Sequence, residues 1–133
     1  MKTTIFLLTC LAFLTNRNQA QTVTDIDGNL YNTVTIGTQV WLEENLKVTY
    51  YNNGDEIPNV SSNTTWLSLS TGAYCNYENN TSYAPIYGRL YNWFAVNDSR
   101  GICPTEWHIA TDEEWTVLTD LLGGVQIPVI LTT

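Results

Sequence analysis

The stretch that decides the fold runs from residue 101 to residue 124 and reads Gly101-Ile-Cys-Pro-Thr-Glu-Trp-His-Ile-Ala-Thr-Asp-Glu-Glu-Trp-Thr-Val-Leu-Thr-Asp-Leu-Leu-Gly-Gly124. Thr111 suits a helix N-cap and Glu114 follows three residues later, so each side chain can accept a backbone N–H in a capping box. Apolar residues then recur at helical spacing, at Trp115, Leu118, Leu121 and Leu122. With Gly123 as a left-handed stop, the pattern predicts a helix over residues 111–123.

A second helix is predicted over residues 85–97. Pro85 suits the first turn of a helix, and the residues after it place an apolar stripe on one face. The stripe consists of Tyr87, Leu90, Tyr91 and Phe94, with Trp93 at its border. An aromatic stripe at helical spacing is more often core than a sugar-binding surface, so we expect it to be buried.

Residues 22–50 have the pattern of strands. The segments 25–29 and 37–39 read as turns between apolar flanks, which predicts hairpins or a β-meander. The run Asp25-Ile-Asp-Gly-Asn29 also resembles the start of a calcium loop. It lacks the glutamate that an EF-hand requires, so a turn is preferred and calcium remains the minor alternative. The sequence indicates no other cofactor.

The first twenty residues read as a signal peptide. Lys2 precedes an apolar run over residues 5–15, and Ala20 offers a small residue for cleavage. Cys10 lies inside the apolar run, where lipidation is the less favoured alternative. We therefore expect export to the cell surface or medium. Residues 21–133 would form a single domain, and nothing in them reads as a transmembrane segment.

The charge balance excludes one class of partner. The formal net charge is −8, and residues 21–133 carry three basic residues against thirteen carboxylates, a formal charge of −10. Binding to a phosphate backbone depends on clustered Lys and Arg, so nucleic acid is not expected as a partner. An acidic surface more often serves solubility than cation binding.

Two cysteines follow the predicted signal peptide. Cys75 and Cys103 form an even pair in a chain that we expect to be exported, which predicts a disulfide between them. A free thiol pair or a metal site is the weaker alternative, because the single His108 cannot complete a usual zinc set with them.

The segment 51–83 is rich in Asn, Ser, Thr and Gly and reads as a long loop with short extended pieces. Long loops in compact domains are often functional, so this segment is the expected binding surface. Its ligand-binding candidates are Trp66, Tyr74 and Tyr77. Exposure of Trp66 or Tyr74 would support stacking on a sugar, whereas burial would leave a structural role.

His108 is the only histidine. A structural role, bonded to backbone, is preferred over a catalytic role as a base beside Glu106 or Asp112. The sequence contains no glycine-rich phosphate loop and no nucleophile motif, and no catalytic residue is assigned.

Five ordered blocks resemble the Fibrobacter succinogenes major paralogous domain family. They are Asp25-Ile-Asp-Gly-Asn-Leu-Tyr31, Ile36-Gly-Thr-Gln-Val-Trp-Leu-Glu-Glu-Asn-Leu-Lys47, Gly72-Ala-Tyr-Cys75, Tyr87-Gly-Arg-Leu-Tyr-Asn-Trp-Phe-Ala-Val96 and Cys103-Pro-Thr-Glu-Trp-His-Ile-Ala-Thr-Asp-Glu-Glu-Trp115. The resemblance covers nearly all of residues 22–124 and implies an exported bacterial domain of unestablished function. Such domains continue beyond Gly124, and residues 125–133 depart from the pattern, so an incomplete C-terminal end is expected.

A more distant likeness concerns the fold. The stretch from Cys103 to Trp115 is similar to a segment of formylglycine-generating-enzyme-like domains, whose architecture is C-type-lectin-like. The likeness implies an α+β fold of that architecture, with a small, mostly antiparallel sheet, two helices and long loops. It carries no chemistry, because the cysteine pair that performs oxidation in those enzymes has no counterpart here.

Three functions are consistent with these residues. The preferred one is an exported, non-enzymatic surface or binding module for glycans or protein partners. The second is an extracellular enzyme acting on polysaccharide or protein, which a concave pocket joining His108 to two carboxylates would favour. The third is a structural unit of a larger surface protein.

Overall fold

The computed structural model describes residues 21–124. The predicted signal peptide and residues 125–133, with the expected incomplete end, lie outside this range. The described chain is a small α+β structure with few antiparallel strands and several short helices. Its strands are β1 (Thr22–Thr24), β2 (Leu30–Ile36), β3 (Gln39–Leu42), β4 (Tyr74–Cys75) and β5 (Leu90–Tyr91). Its helices are α1 (Asn63–Leu67), α2 (Ala84–Tyr87), α3 (Trp93–Val96) and α4 (Asp112–Leu121), with 3₁₀ turns at Tyr77–Asn79 and Thr81–Tyr83.

The predicted β-meander is confirmed. Strands β1, β2 and β3 form an antiparallel sheet in that order. Thr24 pairs with Leu30 across the first turn, and Ile36 pairs with Gln39 across the second. A separate two-stranded sheet pairs β4 with β5.

The first turn is closed by the buried carboxylate of Asp25. Its Oδ1 accepts hydrogen bonds from the backbone N–H groups of Asp27 at 3.0 Å and Asn29 at 2.9 Å. Its Oδ2 accepts the hydroxyl of the fully buried Tyr31 at 2.6 Å. That hydroxyl in turn accepts the backbone N–H of Lys47 at 2.9 Å. The Asp25 carboxylate thus accepts hydrogen bonds within the chain, which supports a turn at this position. Through the Tyr31 hydroxyl it also connects the turn to the backbone at Lys47.

The main core lies outside the meander. Its buried members are Val48, Tyr51, Ile57, Tyr74, Ala95 and Ile102, and Cys103 packs against them. Three of these residues come from the segment 51–83, which sequence composition identifies only as a loop. Much of that segment is therefore structural, because it supplies the apolar side chains that the short strands cannot.

The second predicted helix is wrong as a continuous element. The segment 85–97 divides into the end of α2, strand β5 and helix α3. The break occurs at Gly88, whose φ of 71° and ψ of −157° end α2. Asn92 then caps α3 by accepting the backbone N–H of Ala95 at 2.9 Å. Helical spacing could not reveal this division, since β5 forms only through its pairing with β4.

The expected burial of the aromatic stripe is also wrong for most of its members. Tyr91 is partly buried and donates its hydroxyl to the carbonyl of Val48 at 2.7 Å. The other members of the stripe are exposed: Tyr87, Leu90, Trp93 and Phe94. A broken helix cannot keep its apolar residues on one face, so these side chains diverge.

The helix predicted over residues 111–123 is confirmed as α4. Thr111 Oγ1 accepts the backbone N–H of Glu114 at 3.2 Å, and Glu114 Oε2 accepts that of Thr111 at 2.9 Å. The capping box is therefore complete. No residue of α4 is buried. Trp115 contacts Trp41 of β3, and Leu121 lies close to Gly37 in the turn between β2 and β3. The helix lies on the surface of the described chain.

The predicted disulfide is wrong in this structure. Cys75 and Cys103 are both free thiols. Cys75 lies in β4 opposite Leu90, whereas Cys103 packs beside the core in the segment that precedes α4. Burial raises the pKa of each thiol. An even count of cysteines predicts a pair but contains no information on where the two side chains point.

Within residues 21–124, no helix has both the length and the apolar character needed to cross a membrane.

Candidate functional site

Three tyrosines form a cluster on the surface, and we call it the tyrosine cluster. The ring centroids of Tyr77 and Tyr83 are 5.7 Å apart, those of Tyr77 and Tyr87 5.3 Å, and those of Tyr83 and Tyr87 5.6 Å. Tyr77 is 48% exposed and Tyr87 is 50% exposed. The rings meet edge to face or tilted, an arrangement that aromatic quadrupoles favour. The cluster thus presents aromatic surface to solvent while its rings support one another.

Polar contacts hold the main chain next to Tyr77 in place. The buried Asn76 accepts Arg89 Nη1 at 2.7 Å through its side-chain oxygen. Arg89 Nε donates to the carbonyl of Lys47 at 2.7 Å. After Tyr77, Glu78 and Asn79 adopt φ values of 52° and 55°, so the chain turns sharply. Two residues in this sparsely populated region persist only where their surroundings hold them.

The Tyr87 side is held by a neighbouring amide. Asn45 Nδ2 donates to the carbonyl of Tyr87 at 3.0 Å. The backbone of the next residue, Gly88, approaches Asn45 and Leu46 so closely that a Cβ at Gly88 would lie 2.5 Å from the Asn45 Cβ. The main chain at Tyr87 is therefore held in place, while its ring packs against those of Tyr77 and Tyr83.

The three sequence candidates have different environments. Tyr77 lies in the tyrosine cluster. Tyr74 is 8% exposed, with the Arg89 guanidinium 4.5 Å from its ring centroid and the Tyr91 ring at 6.3 Å. Trp66 is half-buried on α1. Burial leaves Tyr74 a structural role, and Tyr77 has the largest exposed fraction of the three candidates.

A concave surface apart from the tyrosine cluster, the tryptophan cleft, lies between β3 and the segment 103–110. Its volume is about 570 Å³ and its walls are mostly apolar. The centroids of the Trp41 and Trp115 rings are 4.9 Å apart, and Trp107 also lines the cleft. Gln39 anchors α4 to this strand by donating to the carbonyl of Glu114 at 3.1 Å. Cavities of this size and character commonly bind small molecules.

The cleft brings His108 together with two carboxylates, Glu106 and Glu114. His108 Nε2 lies 2.9 Å from each carboxylate oxygen of Glu114, so its partner is a side chain rather than backbone, and its own side chain is 66% exposed. The backbone N–H of Thr111, followed by His108, lowers the pKa of Glu114. This is the grouping of side chains that would favour the alternative of an extracellular enzyme.

The chemistry of these groups is less suited to catalysis. Glu114 already accepts two partners, and a lowered pKa makes it a weak base at neutral pH. Cys103 also lines the cleft, but burial raises the pKa of its thiol, the opposite of what a nucleophile requires. Among residues 21–124 no hydrogen bond joins Cys103 to His108. Cys103 and His108 therefore share the cleft without forming a nucleophile–base pair.

Within the described part of the chain, no three or more His, Cys, Asp or Glu side chains are grouped so that they could hold a metal ion.

Comparison with known proteins identifies the family. The model of the Fibrobacter succinogenes major domain matches residues 34–129, which is more than half of the chain. The chain belongs to the Fibrobacter succinogenes major domain family. No curated protein and no solved structure matches it.

The matched span of this Fibrobacter succinogenes major domain contains both surfaces. All three residues of the tyrosine cluster and all residues that line the tryptophan cleft lie between residues 34 and 129. Sequence reasoning found Tyr77 but missed Tyr83 and Tyr87 as its partners. The spacing of Tyr83 and Tyr87 by four residues was a usable signal, since such residues are neighbours on a helix. The cleft had no comparable signal, because its two walls are about 65 residues apart in sequence.

Proposed function

We propose that this protein is an exported, non-enzymatic binding module that recognises neutral glycans through the tyrosine cluster. The observation that carries the proposal is the mutual packing of three surface tyrosines, of which Tyr77 and Tyr87 are about half exposed and Tyr83 is partly buried. Pyranose rings present an apolar face that stacks on such rings. Aromatic residues also combine apolar contact with a polar group at little cost in conformational entropy.

The polar groups around the cluster favour a neutral ligand. Within the described residues, the hydroxyls of Tyr77, Tyr83 and Tyr87 make no hydrogen bond, so all three can donate to or accept from sugar hydroxyls. The adjoining turn adds the uncharged side chains of Asn79, Asn80 and Ser82 and one carboxylate, Glu78, which would repel an anionic ligand. Arg89, the nearby cation, is already committed to Asn76 and Lys47. A polyhydroxylated, uncharged partner matches this set better than an anionic polysaccharide does.

Export rests on the pattern of residues 1–20, and the proposal includes a secreted or cell-surface location. It also includes the C-type-lectin-like architecture that the resemblance implies.

The mechanism of binding is stacking plus hydrogen bonding, with no metal required. Binding should therefore be equal in calcium and in chelator.

A glycan array of neutral oligosaccharides tests the proposal with the full chain. We expect reproducible binding that falls at least about tenfold when Tyr77 or Tyr87 is changed to alanine, the loss expected for a central aromatic contact. Trp93→Ala is the matched control, because Trp93 is an exposed aromatic residue outside the cluster. Folding of each variant is checked by circular dichroism.

Two results would count against the proposal. Equal losses for Trp93→Ala and Tyr77→Ala would show that binding does not depend on the cluster. No binding by a folded protein would favour a protein partner or a structural role instead.

A further inference from the structure

The tryptophan cleft has an unbalanced charge distribution. Glu106 and Glu114 are its carboxylates, and no Lys or Arg lines it. Glu106 is exposed, and its side chain makes no hydrogen bond within residues 21–124. Its backbone lies in the left-handed region, with a φ of 68°. Its negative charge at the cleft is therefore not neutralised by any neighbouring side chain.

The basic residues of the described chain are all occupied elsewhere. Lys47 lies 5.1 Å from the centroid of the Tyr31 ring. Arg89 binds Asn76 and the carbonyl of Lys47. Arg100 binds Asp55 and Asp98. No Lys or Arg of the described chain therefore lines the cleft, and its His108 lies 2.9 Å from the Glu114 carboxylate.

The walls of the cleft restrict the kind of cation that fits. They are formed largely by Trp41, Trp107, Trp115 and aliphatic side chains. A primary ammonium brings three N–H donors and little apolar surface, so mostly apolar walls gain little from it even where Glu106 and the unpaired Gln39 Oε1 accept its hydrogen bonds. A quaternary ammonium has no N–H donors, and it is attracted to the faces of aromatic rings, tryptophan most strongly.

From this combination of tryptophans, uncompensated carboxylate and absent basic residues, we propose that the cleft binds a small ligand carrying a trimethylammonium group. The trimethylammonium group lies against the tryptophan rings, and Glu106 provides the opposite charge at the rim. The volume of about 570 Å³ leaves room for the chain attached to the nitrogen. The site is separate from the tyrosine cluster and does not depend on the glycan proposal.

Choline and 3,3-dimethylbutan-1-ol make a matched pair of probes, because they share a shape and differ by one positive charge. Each is titrated into the full chain at pH 7.5 while tryptophan fluorescence is recorded, with calorimetry as a second readout. We expect choline to bind at least about tenfold more tightly than the uncharged alcohol, the gain expected for a cation against aromatic rings.

The variants separate charge from shape. Glu106→Gln should weaken choline binding and leave binding of the alcohol unchanged. Glu78→Gln is the control, since Glu78 is also exposed and left-handed, at φ 52°, but lies beside the tyrosine cluster. Trp107→Ala should weaken both probes, whereas Trp93→Ala should weaken neither.

Three outcomes would overturn the inference. They are equal affinity for choline and the alcohol, equal effects of Glu106→Gln and Glu78→Gln, and no response to choline up to about 50 mM from a protein shown to be folded, since that limit corresponds to negligible affinity.

Discussion

At the scale of single residues, Arg100 links the surface to the core. Its guanidinium lies 3.8 Å from the centroid of the buried Tyr51 ring. It donates to Asp98 and to Asp55, in each case at 2.8 Å. The hydrogen bond from the Arg100 side chain lowers the pKa of Asp98 to about 2. One side chain thus combines stacking on the core with two charged contacts.

The depressed pKa predicts sensitivity to acid. In an unfolded chain an aspartate has a pKa of about 3.9. The ionised Asp98 therefore stabilises the folded state above that pH, and this stabilisation is lost as the pH falls towards about 2. We expect Asp98→Asn to lower the thermal midpoint at pH 7 and to flatten its decline between about pH 4 and pH 2. Asp120→Asn, at an exposed carboxylate of α4, is the control. Identical pH profiles for Asp98→Asn and the unaltered protein would contradict this role.

At the scale of elements, sequence reasoning succeeded where the decisive contacts are local. Helix α4 was predictable because Thr111 and Glu114 cap each other within one turn. The meander was predictable because short turns join consecutive strands. The segment 85–97 failed because β5 depends on β4, about sixteen residues earlier. The tyrosine cluster could be predicted only in part, because helical spacing does not show that α2 ends at Tyr87.

Gly88 makes that break possible, and its replacement is the prediction at this scale. Alanine would be strained at φ 71°, and its Cβ would lie 2.5 Å from the Asn45 Cβ and 2.8 Å from the Leu46 carbonyl oxygen. We expect Gly88→Ala to lower the free energy of unfolding by about 3 kcal/mol.

Urea denaturation measures this loss. Gly54→Ala is the control, because Gly54 has a φ of 90° but no neighbour within 4 Å of the added Cβ. It should cost only about 1 kcal/mol, from backbone strain alone. Equal losses at the two positions would show that close packing against Asn45 and Leu46 does not contribute.

At the scale of the whole molecule, the described chain has a small core and no covalent cross-link. A disulfide closing the loop from Cys75 to Cys103 would contribute about 3 to 4 kcal/mol. Because both thiols are free, we expect the thermal midpoint to be unchanged by a reducing agent. A disulfide of that strength would instead make reduction lower the midpoint by about 10 °C or more. A decrease of that size, absent in Cys75→Ser, would contradict the free-thiol structure.

The architecture also explains why two surfaces remain accessible. Helix α4 buries no residue, and Trp115 is 52% exposed, which leaves the tryptophan cleft open along one side. The main chain beside the tyrosine cluster is held by the contact of Asn76 with Arg89 and by that of Asn45 with Tyr87. Composition could indicate an acidic domain, but the distribution of its aromatic residues between core and surface depends on contacts between distant segments.

The central claim is that the tyrosine cluster recognises neutral glycans. Its most direct test is aromatic ¹H–¹³C NMR of the full chain during titration with cellohexaose, xylohexaose and mannohexaose, with ring signals assigned by single substitutions. The account predicts that at least one oligosaccharide shifts the ring signals of Tyr77 and Tyr87 and leaves those of Trp93 unchanged. Shifts confined to Trp41, Trp107 and Trp115, or no shift with any of the three at millimolar concentration, would contradict it.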